Sequence, residues 1–325
     1  MGRFAHSTTR LLLVTGLALS GLFLASSTAS AATVSIDLCA LPGTLAPLPT
    51  TAPGVSIPIW GFGVPSTPGD CSTATASLPG PLLSVDQGDT VTINVTNALP
   101  AGHTISLEAP GIAFDAGPSD AAVGAMVSRT FTAGAPGTYL YQSGGDAGRQ
   151  EAMGLYGALI VRSATAGQAY GSATTAYDVE APLVLSQVDP AFNADPDTFN
   201  LHVYRATYWL INGVSYPDTA PISAAVGQRL LLRYLNAGYD NTTMLVLGMH
   251  ERVLARDASL LNNPFDADAE TIPAGATEDA IATIPAGAPA SANGFALYNR
   301  QLHVENGPPS DPNHTPGGML TFIQP

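Results

Sequence analysis

The feature that most constrains this chain is a pattern that occurs twice. Gly88-Asp-Thr-Val-Thr-Ile-Asn-Val-Thr-Asn97 in the first half and Gly227-Gln-Arg-Leu-Leu-Leu-Arg-Tyr-Leu-Asn236 in the second place a Gly and an Asn at the same separation. Further on, Gly137-Thr-Tyr-Leu-Tyr141 is matched by Gly294-Phe-Ala-Leu-Tyr298, and each half closes on an apolar run, Met153 to Val161 and Gly317 to Ile323. A Gly-led turn into an inner strand, left through an Asn turn, accounts for the bracket. The runs Thr90–Thr96 and Met126–Phe131 alternate with a period of two, and no long window carries a capped 3.6 period. The expected fold is all-β: two tandem Greek-key β-sandwich domains at 32–165 and 177–325. Between them, 166–176 reads as a linker within the Ala/Gly/Ser/Thr-rich segment Ser163–Ala176.

The first 31 residues read as an address. Arg3 and Arg10 precede an apolar stretch from Leu11 to Ala25, followed by small residues ending Ala29-Ser30-Ala31. A basic head, an apolar core of roughly 15 residues and an A-x-A site predict a secretory signal peptide at 1–31, cut near Ala31. A membrane anchor needs about 20 apolar residues. The expected product is secreted, with no membrane span.

Charge narrows the partners. Twenty-five acids face eleven bases, all of them Arg, for a net −14. Without a basic cluster the chain is not expected to bind nucleic acid, and anionic membranes would repel it. Without Lys it forms no Schiff base. No G-x-S-x-G elbow, phosphate loop or H-E-x-x-H helix occurs. A glycosidase-like carboxylate pair is left open, since nothing singles out two among the 25 acids.

Cys39 and Cys71 are the only cysteines. In an oxidising compartment they are expected to form one disulfide, closing a loop of about 30 residues worth ~3 kcal/mol.

The run from Gly80 to Pro100 resembles the opening of the first cupredoxin domain of multicopper oxidases, and Gly137–Tyr141 with Met153–Val161 resembles the end of that domain. Trp209-Leu-Ile-Asn-Gly213, Leu232–Gly238 and Val253–Asp257 look like landmarks of the second domain. The resemblance implies two cupredoxin (plastocyanin-like) domains. In that family it implies a mononuclear copper on two His and a Cys thiolate, and a trinuclear cluster on four His-x-His pairs. Copper's preference for imidazole and thiolate explains the choice.

This chain departs at each of those positions. Ser106-Leu107-Glu108 stands where the first His-x-His is expected, Gln142-Ser143-Gly144 where the second follows the Tyr-x-Tyr strand, and Asn299-Arg300-Gln301 after Tyr298. His103, His202, His250, His303 and His314 form no His-x-His pair, and no Cys follows Cys71. No cofactor is expected, with copper as the alternative.

The reading is therefore a secreted, multicopper oxidase-like protein with vacated copper sites. It would act as a binding or structural module for an unidentified small molecule or extracellular partner. The alternative is a divergent laccase-like oxidase of phenols or metal ions. Two-domain oxidases of this superfamily assemble as trimers with copper between subunits, so an oligomer is compatible with either. Ligand sites favour domain junctions, which makes His103, Glu108, Gln142, Arg149 and His250 the candidate cleft residues.

Each also has a plainer account. Met249, His250 and Met153 suit a Cu(I) set, but the simpler account is that both Met fill core gaps and His250 caps the edge of a strand, Met244–His250. His103 and Glu108 alone make a weak ligand pair. Arg149 reads as a solvated charge, His303 and His314 as solvated imidazoles, and Asp266-Ala-Asp-Ala-Glu270 as an exposed loop.

Overall fold

The computed structural model describes residues 31–49, 56–289, 291–306 and 316–325. The expected signal peptide and His314 lie outside the described residues. Within them the architecture is all-β, as the alternation predicts; helices are short turns, the α-helical ones being Arg149–Met153 and Pro190–Ala194. Among the described residues no helix is long and apolar enough to cross a membrane.

The repeated sequence pattern becomes a repeated strand arrangement. In the first half Thr33–Thr44 pairs antiparallel with Pro58–Gly63 and parallel with Thr90–Asn97, which pairs antiparallel with Met126–Thr132. In the second half Val179–Val188 pairs antiparallel with Tyr208–Ile211 and parallel with Arg229–Asn236, which pairs antiparallel with Thr277–Thr283. The facing sheets repeat too: Leu83–Asp86 runs parallel to Tyr156–Arg162 beside Gly137–Gln142, and Ile222–Ser223 runs parallel to Leu320–Gln324 beside Phe295–Asn299.

The bracketing residues have the same task in both copies. Gly88 (φ +102°) and Gly227 (φ +84°) turn the chain in a left-handed conformation that suits glycine. Asn97 and Asn236 are buried at the far end. The Asn97 amide donates to the carbonyls of His103 and Ala121 and accepts from Leu99 N–H. The Asn236 amide donates to the carbonyls of Asp240 and Ile272 and accepts from Gly238 N–H. Each Asn thus satisfies a turn that would otherwise bury orphan carbonyls.

Alternation sends every second residue inward. Val91, Ile93, Val95, Phe131 and Tyr141 fill one core; Leu183, Leu232, Tyr234, Leu297 and Ile323 fill the other. A third cluster, Leu140, Tyr156, Ala158, Val184 and Leu235, packs the halves together.

Several local expectations change. Segment 163–176 is more than a tether: Ala169 is buried and Tyr170 reaches Asp279 in the second half, 2.6 Å away. The strand expected over Met244–His250 covers Thr242–Val246; Leu247-Gly248 form the following turn, and Met249-His250 lead from it into strand Glu251–Arg256. The acidic stretch expected as a loop lies in strands Ser259–Ala267 and Ala269–Ile272, its Asp266 and Asp268 exposed. Cys39 and Cys71 form the expected disulfide.

Candidate functional site

The two segments that stand where the resembled family carries His-x-His pairs come together. Strand Gly137–Gln142 ends against Glu108 in a two-way backbone bridge, N···O 2.9 Å in each direction. Beyond it the chain makes a tight excursion, Asp146–Gly148 and then Arg149–Met153, with Gly148 and Gly154 in left-handed conformations at the helix ends.

Polar side chains fill the space between these segments. Ser143 Oγ accepts from Ser106 N–H at 3.0 Å and donates to Gln150 Oε1 at 2.6 Å. Gln150 Nε2 donates to the Thr104 carbonyl and to Asp146 Oδ2, both at 2.8 Å. Ser106 Oγ accepts from Gly144 N–H at 3.0 Å. His103 Nδ1 lies 2.8 Å from Asp146 Oδ2, His103 Nε2 lies 3.4 Å from Asp197, and the ring rests 4.5 Å from the Trp60 ring.

Those contacts test whether copper would fit. The positions offer hydroxyls, an amide and one exposed carboxylate, where copper favours imidazole and thiolate. Both His103 nitrogens face carboxylates. Among the described residues no three His, Cys, Asp or Glu side chains converge to hold a metal. This donor set does not fit a copper centre.

Beside the network, a cavity of about 220 Å³ opens between the halves. Leu140, Gln142 and Glu151 line it from the first half; Ala237, Gly238 and Tyr239 line it from the second. Glu151 is half-buried, and its Oε2 has no hydrogen-bond partner among the described residues. Burial, with Glu108 adding its negative charge, pushes the Glu151 carboxyl up to about 7. Tyr239 is pushed up to about 12 by burial and then by Glu151, against Arg149. Its hydroxyl donates to the Gly148 carbonyl at 2.7 Å.

Of the residues singled out in the sequence, Glu108 and Gln142 meet, and His103 belongs to the adjoining network. Arg149 is neither free nor in the cavity wall: its Nη1 donates to the carbonyls of Pro196 and Phe199, at 2.8 and 2.9 Å. His250 sits apart, exposed and 2.6 Å from Asp268. Met153 is core, and Met249 packs on the second core. His303 is not the solvated imidazole expected: it stacks on Trp209 at 4.1 Å, and burial lowers its pKa. Sequence reasoning missed Asp146, Gln150, Glu151 and Tyr239. Only the spacing of Asp146, Gln150 and Glu151 just after the Gln-Ser-Gly stretch pointed there.

Comparison with known proteins agrees with this architecture. Residues 65–166 match the family model described as multicopper oxidase. Laccase-3 of Oryza sativa subsp. japonica is 26% identical over 237 residues, which is 65% of this chain and 40% of the rice protein. This chain therefore spans well under half the length of that relative. The blue copper oxidase of Nitrosomonas europaea superposes with a TM-score of 0.71 at 22% identity, covering 90% of this chain and 86% of its own. The copper nitrite reductase of Nitrosomonas europaea gives 0.66 at 20% identity, covering 90% and 93%. At these identities the superpositions speak for the fold alone: tandem cupredoxin-like β-sandwiches. Over residues 65–166 the chain resembles multicopper oxidases, and its sequence contains no His-x-His pair.

Proposed function

We propose that this chain is an exported, non-catalytic binding protein on a multicopper oxidase-like scaffold. Its domains are 32–165 and 177–325, and its ligand site is the cavity at their junction. One observation carries the reading: Ser106 and Ser143, which stand in the two stretches where copper pairs would be expected, bond to each other and to Gln150. A hydroxyl and amide cluster of this kind holds a loop in place and offers no site for electron storage. The neighbouring cavity, by contrast, has room and an unpaired carboxyl oxygen. Export is supported by the basic-apolar-small N-terminal pattern and by the disulfide.

The test is metal analysis of the protein expressed with excess copper, alongside dioxygen uptake with a phenol. We expect no stoichiometric copper and no uptake. Three or four coppers per chain with oxygen consumption would establish the laccase-like alternative instead.

A further inference from the structure

The junction cavity is small and one-sided in its chemistry. Gly148, Ala237, Gly238, Ala274 and Gly275 leave room for a slender body, and 220 Å³ is below the about 300 Å³ typical of a drug-sized ligand. Leu140 supplies an apolar wall. The polar groups present acceptors and almost no free donor. Tyr239 spends its proton on the Gly148 carbonyl. The Gln142 amide points at Glu151 Oε1, a long 3.4 Å contact. Glu151 lines the cavity; its Oε2 has no donor but is itself buried, 4.0 Å from where a Cβ on Gly148 would be, so a ligand reaches it by turning the carboxylate toward the cavity.

A ligand that completes this site must bring N–H or O–H donors. Charge selects among such ligands. Glu108 adds a second negative group, the chain carries −14, and Arg149, the base that acts on Tyr239, is bound to the Pro196 and Phe199 carbonyls. An anion is thus repelled. A bare metal ion lacks a third ligand, because among the described residues no three suitable side chains converge. An ammonium head offers three donors and a positive charge in the least volume.

We propose that the junction cavity binds small alkylammonium ions, with the ammonium at Glu151 and the alkyl chain along Leu140, Ala237 and Ala274. This rests on the reading of the junction as a ligand site. Glu151 is faced by Glu108, Tyr239 and the neutral Gln142, and Arg149 acts on Tyr239. Ammonium binding favours its ionised form and releases a proton near neutral pH.

The test is titration calorimetry on the full, EDTA-treated chain with n-butylammonium chloride, n-butanol and sodium butyrate at fixed ionic strength. Butylammonium is expected to bind saturably, about tenfold more tightly at pH 8 than at pH 6, as the carboxyl ionises. Glu151→Gln is expected to weaken it at least tenfold with the melting temperature kept or raised. Ala274→Phe, which narrows the mouth without touching Glu151, should abolish it. Unchanged affinity in either variant overturns the proposal. Equal or tighter binding of butanol or butyrate overturns the cation preference and leaves the junction a ligand site. Binding of none of the three removes both.

Discussion

Arg233 and Asp279 meet across adjacent strands at 2.9 Å, each side chain 1% exposed, and a residue of the other half closes the pair. Thr138 Oγ1 accepts from Arg233 Nη1 at 2.8 Å and donates to Asp279 Oδ1 at 2.6 Å. Tyr170 donates to Asp279 Oδ2, and Glu180 accepts from Arg233 Nε. The two halves are therefore joined through a largely buried charge network as well as an apolar seam.

Removing one member of a buried pair leaves the other charge uncompensated. Arg233→Met should cost about 3–5 kcal/mol, and Thr138→Val, which deletes a neutral hydroxyl, about 1–3 kcal/mol. Urea denaturation followed by near-ultraviolet dichroism measures both. Equal, small losses would mean the network contributes nothing to holding the halves together.

How much of this was legible in the sequence follows from what each feature depends on. Gly88 with Asn97, and Gly227 with Asn236, were readable because backbone conformation and turn bonding act locally and twice. The meeting of Glu108 and Gln142 followed from the family resemblance, which places two distant strands side by side. Gln150 and Glu151 were not readable, since their roles hang on a helical turn too short to show a period. Arg233 was hidden in an apolar strand whose burial gives no hint that Asp279 and Thr138 converge on it. His303 looked solvated because only the fold brings Trp209 beneath it.

Buried carboxyls set the direction of the pH dependence. Burial pushes Glu251 up to about 8, opposed by the Tyr234 hydroxyl at 3.1 Å and reinforced by Glu278 and Glu270. Burial likewise pushes Glu278 up to about 7, against its bond from Arg256. Both lie above the ordinary 4.5, so the folded chain holds protons that the unfolded chain has released. The stability they contribute is full below about 4.5 and is lost as pH rises through 7 to 8. Calorimetry should show a higher melting temperature at pH 5.5 than at pH 8.5. Glu251→Gln should raise the pH 8.5 value and shrink the difference. A wild-type melting temperature that climbs from pH 5.5 to 8.5 would contradict the assignment.

The polar cluster of Ser106, Ser143 and Gln150 is expected to be structural. Ser143 and Gln150 are fully buried, and truncating Ser143 strands both the Ser106 N–H and the Gln150 carbonyl. Ser143→Ala should destabilise by about 1–3 kcal/mol. Hydrogen exchange should quicken at Ser106 and Gly144 and leave Val91 and Leu232 unchanged. Uniform quickening across the chain would argue that the excursion is not a local unit.

The disulfide ties strand Thr33–Thr44 to the turn Cys71–Thr73, where Asp70 accepts from Ser72 N–H and Oγ. Its sequence separation of 32 includes strand Pro58–Gly63, which pairs with Cys39's own strand. A loop of this length removes about 3–4 kcal/mol of unfolded-state entropy when closed. The double variant Cys39→Ala/Cys71→Ala should lose that amount in urea with its native sheet signal unchanged, because the folded registers do not need the bond. Cys39 is buried, so dithiothreitol should reduce the native protein slowly and the urea-unfolded protein fast. Equal rates would mean that strand Thr33–Thr44 opens without global unfolding, and the first half would then be less cooperative than its parallel pairing with Thr90–Asn97 implies.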